Sequence, residues 1–175
     1  MATFSLYTSS SLILLLLSLT TGDLLLRTDA AALNDVCSQT KEQARCITLL
    51  KSSDTRSPTA ALPELGQIAI VAATDSAGDV KIKVHNLGLS ERDPKLKSVY
   101  LACEDLYFKA LDQLLIAPEY LQKREYNKLL AVAGVVRNSV SGCASAVQNN
   151  GGLRQGNIDT GVLADAIAVV AKKLS

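Results

Sequence analysis

Residues 93–115 read DPKLKSVYLACEDLYFKALDQLL. Tyr100, Cys103, Tyr107, Ala110 and Leu114 recur at spacings of three and four, which places them on one face of a helix. Ala117 and Leu121 continue the stripe in phase beyond Pro118, so the helix is expected to bend at the proline and run on for about one turn. Asp93 suits the N-cap, and Pro94 suits the first helical position, where a missing N–H costs nothing. Cys103 lies on the apolar stripe, with no histidine or second cysteine near it in the sequence. The fold therefore turns on what Cys103 meets.

The next segment answers this. Over 126–147, Leu129, Val132, Val136, Val140, Cys143 and Val147 form a second stripe, and QKRE is the turn between the two helices. Cys103 lies 18 residues before Leu121, and Cys143 lies 17 residues after Tyr126. At a rise of about 1.5 Å per residue, the two thiols reach nearly equal height on adjacent antiparallel helices. The other two cysteines, Cys37 and Cys46, fall within 33–52, where the spacing fits a short helical hairpin closed on itself. Of the three ways to pair four cysteines, geometry selects Cys37–Cys46 with Cys103–Cys143. A zinc site would want closer cysteine pairs.

Two further helices complete the pattern. Over 60–89, Ile70, Ala73, Ala77, Val80, Val84 and Leu87 make a bundle-type seam, and over 159–174 Leu163, Ile167, Val170 and Leu174 make another. QNNGGLRQGN, 148–157, reads as a loop. The fold expected is all-α: an antiparallel up-and-down four-helix bundle behind an N-terminal helical hairpin, with two disulfides.

The apolar run SLILLLLSL, 11–19, followed by small residues, reads as a secretory signal too short to span a bilayer. Residues 1–30 are thus assigned to a leader, with cleavage between about 22 and 32, and residues 31–175 to one domain. An even cysteine count agrees with secretion. The net charge of +1 gives no electrostatic reason to expect nucleic acid or an anionic membrane as partner.

Catalytic apparatus is not evident. His85 is the only histidine and lies near the end of its helix, where a polar or cationic side chain suits the dipole. The cysteines are committed to disulfides, no phosphate-cradling glycine motif occurs, and the carboxylates near Glu104 sit on a solvated helix face. No cofactor and no metal are expected. These residues describe a secreted binding protein.

Several stretches resemble the plant invertase and pectin methylesterase inhibitor family. They are the Cys37–Cys46 pair around Thr40, the segment Asp54-Thr55-Arg56-Ser57-Pro58, LPELGQIAI at 62–70, and above all DPKLKSVYLACEDLYFKALDQL at 93–114. REYNKLLAVAGVVRNSVSGC, 124–143, matches more loosely. The resemblance implies the same fold and disulfides, and a protein without chemistry of its own. Such proteins cap the substrate cleft of secreted carbohydrate-active enzymes in the plant cell wall. In the esterase type, polar residues near the third and fourth cysteines make the contacts. By position these are Asp105, Lys109 and Asp112 on the second long helix, and Gly142 and Ser145 on the third. Lys109 stands where an acid is usual, Gly142 for a threonine, and Ser145 for another acid. The invertase type carries a Pro-Lys-Phe triplet where this chain has Tyr126-Asn127-Lys128. The resemblance thus implies an inhibitor of pectin methylesterase, secreted to the apoplast. The alternatives are an inhibitor of cell-wall or vacuolar invertase, which would also allow a vacuolar location, and a non-inhibitory, pollen-allergen-like relative.

Overall fold

The computed structural model describes residues 32–148 and 150–175. The expected leader lies outside the described residues. Among the described residues all regular structure is helical: α1 (32–37), α2 (Gln43–Ser53), α3 (Leu62–Ser90), α4 (Pro94–Gln122), α5 (Tyr126–Val147) and α6 (Gly151–Leu174). No helix among them is long and apolar enough to cross a membrane.

The sequence dictates these helices locally. The Asp93 carboxylate accepts from the Lys95 N–H at 2.9 Å, and Pro94 opens α4. Every residue of the expected α4 stripe is buried: Tyr100, Cys103, Tyr107, Ala110, Leu114, Ala117 and Leu121. The helix runs through Pro118 and ends four residues later, at Gln122. On α5, Leu129, Val132, Val136, Cys143 and Val147 are buried, with Val140 half-buried at the edge. On α3 the seam from Ile70 to Val84 is buried, and Leu87 packs partly exposed against it.

The bundle closes because α3 packs on α4, α4 on α5, α5 on α6 and α6 back on α3. Both disulfides pair as expected, Cys103–Cys143 by equal height and Cys37–Cys46 within the hairpin. The Cα atoms are 4.7 Å apart for Cys103–Cys143 and 5.5 Å apart for Cys37–Cys46. The smaller link closes α1 onto α2, and the Thr40 hydroxyl donates to the Cys37 carbonyl at 2.8 Å within that turn.

The segment 148–157 departs from expectation. From Gly151 on it is helix: α6 begins there, capped by the Asn150 side chain, which accepts from the Leu153 N–H at 3.1 Å. Glycine here serves packing as well as turning. A Cβ on Gly156 would lie 2.6 Å from Val80 Cγ2, so the glycine lets α6 press against α3. The same extension places Asn157 in the core. There its Oδ1 accepts from the Tyr107 hydroxyl at 2.8 Å. Nearby, the Thr160 hydroxyl donates to the Gly156 carbonyl at 2.9 Å, which leaves Ser76 to donate to Thr160 at 2.8 Å.

From Val162 to Ala171 every residue of α6 except Asp165 is buried, so this helix is apolar almost all round. The reason is the hairpin, which packs on α6 through α2. Three ion pairs join α6 to its neighbours at the surface: Arg45 with Asp159, Lys173 with Asp35 at 2.7 Å, and Arg137 with Asp165 at 3.2 Å.

The turn after α4 closes by two reversed hydrogen bonds, Arg124 N–H to Leu121 at 3.2 Å and Glu125 N–H to Tyr120 at 2.8 Å. This geometry needs a left-handed residue at Arg124, whose φ is 58°. Arg124→Gly is expected to raise stability by about 0.5–1 kcal/mol, and Arg124→Val to lower it, read from the urea midpoint at constant m-value. A second expectation follows from Tyr107. Burial pushes its phenol well above the ordinary value, against a smaller downward pull from a hydrogen bond with Thr160. A folded pKa above the unfolded one leaves stability intact below pH about 10 and erodes it as pH rises beyond that. Urea midpoints at pH 9 and pH 11 should fall further for the wild type than for Tyr107→Phe. Equal falls would assign the alkaline loss to another group.

Candidate partner-binding face

Asp105, Lys109 and Asp112 are spaced i, i+4 and i+7 on α4 and share its outward face. All three are exposed. Lys109 is one turn from each acid, yet none of the three makes a hydrogen bond or ion pair with any described residue. Their neighbour Glu104 behaves differently. It turns toward α3 and meets His85 Nδ1 at 3.0 Å. His85 is therefore an exposed side chain paired across two helices, in keeping with a structural role.

Gly142 joins this face from α5. It precedes Cys143, whose disulfide draws α4 and α5 together. A Cβ on Gly142 would lie 2.8 Å from Leu106 Cδ1, because the Leu106 side chain leans over the glycine. Leu106 thus fills the space that a side chain would take at this position, where the resemblance leads one to expect a threonine. Ser145 lies one turn further along α5, toward the end of the bundle where α4 begins; its side chain lies outside the described part of the structure.

Tyr126, Asn127 and Lys128 sit elsewhere. They form the first turn of α5, and about 21 Å of helix separates Lys128 from Gly142. Asn127 is exposed, and Tyr126 is half-buried beside Leu121 and Leu174 at the end of the bundle. Lys128 is occupied: its Nζ meets Glu125 Oε2 at 2.9 Å and lies 5.3 Å from the centre of the Tyr120 ring. The hydrogen bond with Glu125 raises the Lys128 pKa. The structure puts Asp105, Lys109 and Asp112 on one exposed face of α4, sets Gly142 of α5 against Leu106 of that helix, and holds Tyr126–Lys128 at the far end of α5.

Sequence reasoning overlooked one feature of this face. Leu101, Phe108, Leu115 and Ile116 are large apolar side chains exposed on α4, interleaved with the charged residues. The signal was available: Leu101, Phe108 and Leu115 recur every seven residues, each next to the buried stripe but outside it. Phe108 and Leu115 directly follow the seam residues Tyr107 and Leu114, and the seam pattern passes over them.

Among the described residues no group of three or more His, Cys, Asp or Glu side chains could hold a metal. All four cysteines are paired.

Comparison with known proteins bears on this arrangement. Residues 31–171 match the family described as plant invertase/pectin methylesterase inhibitor. The chain is 27% identical over 174 residues to a pectinesterase inhibitor of Actinidia deliciosa, covering 97% of this chain and 94% of that one. Among solved structures, it superposes on a mutant form of a pectin methylesterase inhibitor from Arabidopsis with a TM-score of 0.71 at 19% identity, covering 82% of this chain and 97% of that chain. A pectin methylesterase inhibitor from Arabidopsis thaliana gives 0.63 at 17% identity, covering 84% and 98%. At such identities these two speak for the fold.

Proposed function

The chain belongs to the plant invertase/pectin methylesterase inhibitor family, and from that premise we propose that it is a secreted inhibitor of plant pectin methylesterase. In this reading it caps the active-site cleft of the esterase in a reversible stoichiometric complex in the cell wall. The family works by inhibition, so the protein is not an enzyme, and its partner is one. The observation that carries the choice of target is the α4–α5 face. Asp105 and Asp112 are exposed and unpaired on α4, a helix locked to α5 by a disulfide. Charged side chains without internal partners are free to be matched by a partner, and they lose little entropy when presented from a rigid helix. The opposite end of α5 supports the invertase reading less, since Lys128 is already engaged by Glu125 and Tyr120. Secretion is supported by the apolar run at 11–19, which precedes the family match at residue 31.

The test is a titration of plant pectin methylesterase with the purified protein at mildly acidic pH, in parallel with sucrose hydrolysis by plant invertase. Stoichiometric loss of demethylation with invertase unaffected is expected; demethylation unchanged at excess protein would remove the reading. Lys109 supplies a sharper prediction. It puts a cation between two acids where an acid is usual, so Lys109→Glu should tighten inhibition about tenfold, or about 1.4 kcal/mol, at low ionic strength. Asp105→Asn should weaken it, and added salt should shrink both differences.

A further inference from the structure

The charged residues of α4 do not stand alone. Phe108 is 54% exposed, Leu101 44% and Leu115 69%. At about 100° per residue, this row lies within roughly 20–60° of Asp112 around the helix axis, and it runs for about 21 Å along it. Phe108 falls between Asp105 and Asp112 in height, so a surface that covers both acids covers the ring as well. One lysine lies beside the ring: Lys81 of α3, whose Nζ is 5.8 Å from the ring centre. A cation beside the ring restrains its orientation before any partner arrives.

We propose that this row is the apolar anchor of the enzyme complex. Phe108 seats in an apolar or aromatic-lined subsite of the partner's cleft, while Asp105, Lys109 and Asp112 form the polar border around it. The proposal rests on the inhibitor reading above. Several considerations favour the partner enzyme as the occupant. The patch is contiguous with the unpaired charges that the complex would use. An aromatic centre within a charged rim is the usual anatomy of an interface whose energy is concentrated in a few residues, and ligand clefts are lined largely by apolar and aromatic groups. A second copy fits less well. A two-fold axis close to Phe108 that pairs α4 with itself would set Asp105 against Asp112 of the other copy, acid against acid.

The experiment measures inhibition constants of the wild type, Phe108→Ala and Leu115→Ala against pectin methylesterase and invertase. Melting temperature and sedimentation are followed over a range of concentrations. Both side chains are exposed, so unchanged melting temperatures are expected. Phe108→Ala should weaken inhibition of the target about tenfold or more, and Leu115→Ala should weaken it less. A wild type that inhibits, with Phe108→Ala within twofold of it, overturns the anchor and leaves the inhibitor reading standing. A wild type that inhibits neither enzyme removes both. A concentration-dependent dimer that Phe108→Ala dissolves gives the face to a second copy and overturns the proposal.

Discussion

The link between Cys103 and Cys143 sets the relation of α4 to α5, and the candidate face depends on that relation. Two antiparallel helices with apolar seams can slide by a turn and still bury much of the same surface. A covalent bond between residues at equal height removes that freedom. It also closes a long loop, an effect of roughly 4 kcal/mol in the chain-entropy account. With the register held, Gly142 falls against Leu106 rather than a turn above or below it. Gly142 also accommodates the close approach, since Leu106 occupies the space that a side chain there would need.

The remainder of the molecule makes this pair of helices rigid. α6 is covered on one side by the bundle and on the other by the hairpin, so it acts as an internal pillar. Tyr107 joins the two systems. Its ring belongs to the buried stripe of α4, and its hydroxyl is satisfied by Asn157 of α6. That hydrogen bond crosses the centre of the bundle and discriminates one rotation of α4 from others, because a wrong rotation would leave two buried polar groups unmatched. The outward face of α4 is thereby fixed from behind. An inhibitor gains from such rigidity, because ordering a mobile surface on binding would weaken the complex.

How far these features were legible in the sequence depended on the kind of force behind each. Apolar periodicity and cysteine height were readable because they follow from helix geometry alone, and they delivered the bundle, its seams and the Cys103–Cys143 link, while close spacing delivered Cys37–Cys46. The segment at 148–157 was misread because asparagine and glycine signal turns in isolation. Here Asn150 caps a helix and Gly156 answers a close approach to Val80, a neighbour far away in sequence. Tertiary packing overrode local propensity. At the candidate face, Asp105, Lys109 and Asp112 could be placed on one side of α4 by spacing. Their lack of internal partners could not, nor could the engagement of Lys128 by Glu125 and Tyr120, because both are properties of side-chain geometry.

The apolar row on α4 shows where pattern reading has a systematic blind spot. A stripe argument picks out the residues of the seam and gives no role to the apolar residues beside it, and a helix in a bundle of this size buries only a limited arc. Phe108 and Leu115 lie just past the edge of that arc, one residue beyond Tyr107 and Leu114, and a rotation of about 100° carries them from the core to solvent. Burial therefore separates two rows that the sequence prints side by side. The inner row holds α4 in the bundle and would be needed by any member of the fold. The outer row contributes little to folding, since its residues remain exposed, and contiguous exposed apolar surface calls for an explanation outside the monomer. Its alternation with unpaired charges on the same rigid helix ties that explanation to the partner.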